Sequence, residues 1–287
     1  MTDLAIIVNN QAKNALQAKS YVDYFKEQGI VFSLFQVNSK ILNETLEKCC
    51  QRYNVVLIGG GDGSIRSAAQ HCVNKAITLG ILPLGTMNHF AKELGLPLTK
   101  EELVNALKEN KSIKIDLAEV NGHIFVNNSS IGFYPKFAQH RDRYTKAYNK
   151  WLSYFPSLMQ TLKKHETYSI HISNDYYHRD INTSFMMMSN NLYSYEFPIS
   201  IKRESFTQNR LGIYYFRYGR LRFFKMLRLL LNRKSNFAVI DTDKPVTVVI
   251  DNKQKVMISL DGDTLEVDLP LVYRIIPHSL QILTDAS

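Results

Sequence analysis

The chain has 287 residues, 45% of them hydrophobic, and its 35 Lys and Arg outnumber its 26 Asp and Glu to give a formal charge of +9. That apolar content excludes a disordered or low-complexity chain, and the length suits one large domain or two ordinary ones. The basic excess suits an anionic partner: a phosphate-bearing substrate, an acidic membrane surface or nucleic acid.

In chain order, Leu4 to Val8 reads as a strand, and Ala15, Leu16, Tyr21, Val22 and Phe25 recur at helical spacing. Val31 to Val37 and Val55 to Ile58 read as strands, Ser64 to Val73 as a helix, and Ile77 to Leu82 as a fourth strand. Thr99 with Glu102 three residues on is a capping box that predicts a helix to about Lys108. Such alternation implies a parallel sheet wrapped by helices. Near Asp116 the pattern changes. Asn121-Gly122 is a two-residue hairpin signal, and short strands are expected at Tyr168 to Ser173, Ser184 to Met188, Gly212 to Tyr218, Val246 to Ile250, Val256 to Leu260 and Leu271 to Ile276. The expected architecture is an α/β domain over residues 1–117, with 278–287 as a candidate completion, followed by a β-rich, sandwich-type domain over 118–277. A cleft between the halves is the expected active site.

The chemistry concentrates in Gly59-Gly60-Gly61-Asp62-Gly63-Ser64, which follows the apolar run Val55 to Ile58. Glycines let the main chain approach phosphate oxygens closely, and the helix that follows favours their negative charge. Asp62 is placed to organise Mg²⁺ or to touch a transferring phosphoryl group. The loop lacks the Gly-Lys-Ser/Thr ending of a Walker A motif, and the dinucleotide fingerprint is incomplete. A second loop, Pro83-Leu84-Gly85-Thr86-Met87-Asn88-His89, follows the fourth strand, so Thr86 and Asn88 could face the same ligand.

These loops, with Phe90-Ala91, Leu94-Gly95-Leu96-Pro97, Asp116 to Gly122, Phe125 to Gly132 and Leu260-Asp261-Gly262-Asp263, resemble the diacylglycerol kinase catalytic-domain family, which includes bacterial lipid kinases and sphingosine and ceramide kinases. The resemblance runs through nearly the whole chain. It implies an N-terminal nucleotide domain, a C-terminal β-sandwich domain, and phosphoryl transfer from ATP to a lipid hydroxyl. By match, Asn9, Gly60, Gly61, Asp62, Gly63, Ser64, Thr86 and Asn88 would bind nucleotide, Asp62 and Asp116 would serve Mg²⁺, and Asp261 and Asp263 would be the catalytic acids. Diacylglycerol is the first substrate expected, met at an anionic membrane surface by a cytoplasmic, peripherally associated enzyme. Homodimerisation stays open.

The chain departs from the family pattern in four places. Asn9-Asn10-Gln11-Ala12-Lys13 replaces Asn-Pro-x-Ser-Gly, His89 stands where Asp is usual, and Asp263 replaces Glu. The fourth is Gln208-Asn209-Arg210-Leu211, which lacks the Asp-Gly pair of a second metal site.

Two basic, aromatic segments, Lys136 to Lys164 and Tyr218 to Lys234, read as amphipathic helices that pack on the β-domain or rest on anionic lipid. No nucleic-acid signature is present. Cys49, Cys50 and Cys72 show no zinc or disulfide spacing and are expected in the core; the eight histidines show no ligand spacing either. No signal peptide opens the chain, and no apolar run reaches the ~20 residues of a membrane span. Two rival readings are a kinase for a soluble substrate, since NAD kinases and phosphofructokinases carry a related Gly-Gly-Asp-Gly loop, and a silent lipid- or nucleotide-binding protein.

Overall fold

The computed structural model describes residues 3–85, 88–132, 167–196, 200–203, 205–216 and 237–285. They group into two compact units. One is drawn from Met1–Leu117, Ser194–Asn209 and Ile276–Ser287, the other from Ala118–Tyr193 and Arg210–Ile275. The Ser194–Asn209 stretch thus clusters with the first unit, not with the β-rich part that surrounds it in sequence.

The first unit is built on parallel strands in the order β2 (Ser33–Val37), β1 (Leu4–Asn9), β3 (Val55–Gly59) and β4 (Thr78–Leu82). Beyond β4, Gln281 and Ile282 near the chain's end pair in parallel with Thr78 and Leu79. Every residue of β1 and β4 is buried, as in a sheet covered on both faces. The helices supply that cover: α1 (Ala18–Glu27), α2 (Leu42–Arg52), α3 (Asp62–Cys72), the short α4 (His89–Glu93) and α5 (Lys100–Glu109).

Phe25, Leu103 and Val104 from the helices pack with Leu4, Ile6, Val8, Leu57, Leu82 and Leu283 from the sheet. The α5 capping box is formed as the sequence predicts. Thr99 Oγ1 accepts from the Glu102 amide at 3.2 Å, and Glu102 Oε2 accepts from the Thr99 and Leu98 amides at 3.0 and 2.8 Å. Helix α2 was not among the expected elements, although Leu42, Leu46, Cys49 and Cys50 recur at helical spacing and are its buried face. All three cysteines lie in this core. Burial raises the Cys49 thiol to about 11, and the Cys50 and Cys72 sulfurs are 3.6 Å apart.

The second unit is two layers of antiparallel strands. One layer joins β8 (Tyr168–Ser173) and β9 (His178–Thr183) to β15 (Val246–Ile250) and to the opening residues of β18 (Leu271–Leu283), with Val246 opposite Tyr273. The hairpin from β5 (Ser112–Val120) to β6 (His123–Phe125) turns on Asn121 and Gly122, both at positive φ, as its Asn-Gly signal predicts. The other layer runs β14 (Phe237–Thr242), β13 (Leu211–Phe216), β10 (Phe185–Asn190), β7 (Asn128–Gly132), β16 (Lys255–Leu260), β17 (Asp263–Asp268). Phe125, Ile170, Ile172, Val248, Leu271 and Tyr273 from the first layer share one core with Ile131, Met186, Met188, Ile213 and Ile258 from the second. This is the sandwich the sequence led us to expect. Strands β7, β9, β14 and β17 were not expected, nor was the two-stranded pair β11 (Tyr193–Glu196) and β12 (Ser200–Arg203). In β9, His178–Thr183, exposed polar residues dominate and leave little apolar alternation to read.

Candidate active site

Strands β1, β3 and β4 are neighbours, so the loops that leave their carboxyl ends emerge side by side. After β3 the chain passes through Gly60 and Gly61, the extended N-cap of α3, and Asp62 opens the helix. A carboxylate there is favoured by the helix dipole, and the Ser64 and Ile65 amides close the first turn on the Gly61 carbonyl at 2.9 and 3.1 Å.

Gly60 is required sterically: a Cβ on it would lie 2.5 Å from both Cβ and Oγ of Ser64. After β4, a Cβ on Gly85 would lie 2.6 Å from Asn88 Oδ1 and 3.0 Å from Gly61 Cα. The two glycine loops therefore meet backbone to backbone, and a side chain at Gly85 would press on both Gly61 and Asn88. Asn88 adopts the left-handed region at φ 50° and donates from Nδ2 to the Pro83 carbonyl at 3.0 Å. Thr86 lies outside the described residues.

The end of β1 joins the same cluster. Asn9 donates from Nδ2 to Ser64 Oγ at 3.1 Å and to Ser39 Oγ at 3.3 Å, while its Oδ1 accepts from the Gln11 amide at 3.0 Å. The Asn9 side chain thus closes an Asx turn with Gln11 at the end of β1. Asn14 extends the tie by donating to the Gly85 carbonyl at 3.1 Å. Asn9, Gly60, Gly61, Asp62, Gly63, Ser64 and Asn88 lie on three adjoining segments: the end of β1, the β3–α3 turn with the first turn of α3, and the loop after β4. Asn14 went unpredicted; its signal in sequence is only its nearness to Asn9. Arg66, one helical turn after Asp62 and half-buried, was also not singled out.

Asp116 is fully buried on β5. Its Oδ2 accepts from the Asn209 amide at 2.7 Å and its Oδ1 from the His278 amide at 2.9 Å, while its own amide donates to the Phe206 carbonyl at 2.8 Å. This carboxylate anchors two distant segments of the first unit. The Ser194–Asn209 stretch is held again by Arg203, which is 2% exposed. Arg203 pairs with Glu93 of α4 at 3.5 Å and lies over the Phe206 ring at 4.2 Å, and Phe206 meets Phe90 edge to face.

In the second unit, Asp261 and Gly262 form the two-residue turn between β16 and β17, both at positive φ, with Leu260 opposite Asp263. The Asp261 carboxylate accepts three main-chain N–H groups, from Val126 and Asn127 at 2.7 Å and from Asn128 at 3.0 Å. Asp263 is exposed at the start of β17. The two acids that sequence treats alike are thus placed differently: one is clamped by main chain, the other faces solvent.

Residues 3–120 match the model of the diacylglycerol kinase catalytic domain. Over 107 residues the chain is 37% identical to probable lipid kinases, YegS-like, of Yersinia pestis (strain Pestoides F) and Yersinia pseudotuberculosis (serotype O:1b, strain IP 31758). That stretch covers 36% of this chain and 36% of those relatives' length. A putative diacylglycerol kinase from Bacillus anthracis str. Sterne shares the fold, with a TM-score of 0.76 over 99% of this chain and 97% of that one at 17% identity. A second structure from the same source, also a putative diacylglycerol kinase, gives 0.71 at the same coverage and identity. The glycine loops and Asp62 fall inside the matched diacylglycerol kinase catalytic domain; Asp261 and Asp263 fall beyond it. No helix among the described residues is long and apolar enough to cross a membrane.

Proposed function

We propose that this protein is an ATP- and Mg²⁺-dependent lipid kinase that transfers the γ-phosphoryl group to a lipid hydroxyl, with diacylglycerol as the first acceptor. The observation that carries this reading is the backbone-to-backbone packing of the Gly60-Gly61 and Gly85 loops beside Asp62 at the start of α3. Such a cradle offers main-chain donors and a helix N-terminus to phosphate oxygens. The donor set also fits Mg²⁺, which takes one or two carboxylates and leaves its other positions to phosphates and water. Asp62 would hold it; Asp116, the second acid the family resemblance names, is fully buried with both oxygens engaged by main-chain amides and acts here as an anchor. When bound, the ion neutralises charge on the transferring phosphoryl group.

In this reading Asp263 accepts the proton of the attacking hydroxyl, because it is the exposed acid of its turn. Asp261 positions it, because its carboxylate is engaged by three amides. The charge of +9 supports work at an anionic bilayer from the cytoplasmic side. The basic, aromatic segments Lys136 to Lys164 and Tyr218 to Lys234, which would make that contact, lie outside the described residues.

The test is ADP release on adding diacylglycerol vesicles, with Asp62→Asn abolishing it. Absence of lipid-dependent turnover across a broad lipid panel rejects the reading. Turnover with NAD or a sugar phosphate without vesicles favours a soluble-substrate kinase. Failure to bind ATP in calorimetry, with vesicle binding retained, favours a silent binding protein.

A further inference from the structure

Three strands of the second unit bring two imidazoles and two carboxylates to one point on an exposed face. His171 on β8 lies directly opposite Asp180 on β9, and its Nδ1 is 2.6 Å from Asp180 Oδ1. His178 precedes Asp180 by two residues, hence shares its side of the strand, and its Nε2 is 2.8 Å from the same oxygen. The two rings are stacked, with centroids 6.2 Å apart and planes inclined by 22°. Asp251, just past the end of β15, places Oδ1 2.8 Å from His171 Nε2.

The pairings have distinct consequences. Both ring nitrogens of His171 face carboxylates at hydrogen-bond distance, so without metal the ring donates Nε2–H to Asp251 and Nδ1–H to Asp180. Metal-bound histidines are held in this way, the distal ring nitrogen donating to a carboxylate. A simple ion pair needs one imidazole on Asp180; here two converge on one oxygen. His171 Nδ1, His178 Nε2 and Asp180 Oδ1 all lie within 4.8 Å of one another. Tetrahedral zinc, with bonds of about 2.0–2.2 Å, needs ligand atoms roughly 3.3–3.5 Å apart, so the two imidazole–carboxylate pairs must widen by less than about 1 Å and the two imidazole nitrogens settle to the same spacing. The side chains are 36%, 63% and 63% exposed for His171, His178 and Asp180, which leaves them free to make that adjustment. The proton that Nδ1 shares with Asp180 is what a cation would displace.

We propose that His171, His178 and Asp180 form a site for a divalent transition-metal ion of the zinc class, with Asp251 orienting His171 and water completing the coordination. Two imidazoles beside one carboxylate select such ions over Mg²⁺, which prefers oxygen ligands, so this site is separate from the kinase's own cation. Bound metal staples β8 to β9 and, through Asp251, to β15.

The full-length protein, stripped with chelator, is titrated at neutral pH with zinc chloride in a calorimeter and with cobalt chloride by visible absorption. One saturable equivalent of each is expected, with a higher unfolding midpoint in zinc and no such response to magnesium. His178→Ala and Asp180→Asn, checked by circular dichroism for an unchanged fold, lose binding. Asp251→Asn weakens it about 10- to 100-fold, and His71→Ala, on α3, leaves it intact. Absence of saturable zinc binding to the wild-type chain overturns the proposal, as does binding that persists undiminished in both His178→Ala and Asp180→Asn.

Discussion

Asn9 and Ser64 stand 55 positions apart in the chain, yet the Asn9 amide donates to the Ser64 hydroxyl at 3.1 Å, both side chains being buried. This bond ties the end of β1 to the first turn of α3. It turns a residue at a strand end into a strut for the glycine loop.

Asn9→Ala removes that strut and the acceptor of the Gln11 amide together. A buried polar group left without its partner costs about 1–3 kcal/mol, so the loss in denaturant unfolding should fall in that range. If the glycine loop holds nucleotide as proposed, ATP affinity should fall as well, because that loop loses its lateral support. Unchanged affinity in calorimetry would count against the strut.

Gly85→Ala should be more damaging than its size suggests. The added methyl meets Gly61 Cα at 3.0 Å and Asn88 Oδ1 at 2.6 Å, and the first of these is backbone. Overpacking of this kind costs about 1–3 kcal/mol. The loops must part, so nucleotide binding should be lost while the second unit's unfolding is untouched. In the sister variant Gly60→Ala the clash is with the Ser64 side chain, so Ser64→Gly added to it should recover part of the loss in a double-mutant cycle.

The two acids of the β16–β17 turn should separate experimentally. Asp263→Asn is expected to lower kcat about 10²- to 10⁴-fold with little change in unfolding midpoint, as for loss of a general base. Asp261→Asn should lower the midpoint instead, because hydrogen bonds to a charged group contribute about 1.5–3 kcal/mol each and three converge there. Equal kinetic defects with equal midpoints would refute the division of roles.

The α5 capping box predicts an acid-limb signature. Hydrogen bonds from the Leu98 and Thr99 amides hold the Glu102 carboxyl below the ordinary carboxylate range. A group whose pKa is depressed on folding stabilises above its unfolded pKa, and that contribution fades as pH falls through the folded value. Glu102→Gln should therefore reduce stability at neutral pH and flatten its decline between about pH 5 and pH 3. Thr99→Ala should cost about 1 kcal/mol by denaturant titration.

Local features of this protein were legible because their causes are local. The glycine turn between β3 and α3, the Thr99–Glu102 box and the Asn121-Gly122 hairpin each depend on residues a few positions apart, so composition and spacing suffice to predict them. Helix α2 shows the margin: its apolar spacing was present, but polar residues around Leu42, Leu46, Cys49 and Cys50 masked it. Long-range partnerships were not legible. Nothing in the chain's order announces that Asp116 accepts the amides of Asn209 and His278, 93 and 162 residues away, or that Arg203 returns to Glu93. The histidines show no ligand spacing in sequence, because His171 and Asp180 meet through strand register and Asp251 arrives from a third strand. Which side chains share a point in space is decided by the pairing of whole strands, whose energy is spread over every residue of the sandwich core. The sequence by itself therefore determined the kinds of element and the glycine turn between β3 and α3. The tertiary structure alone decided which acids are clamped by main chain, as Asp116 and Asp261 are, and which are exposed, as Asp263 is.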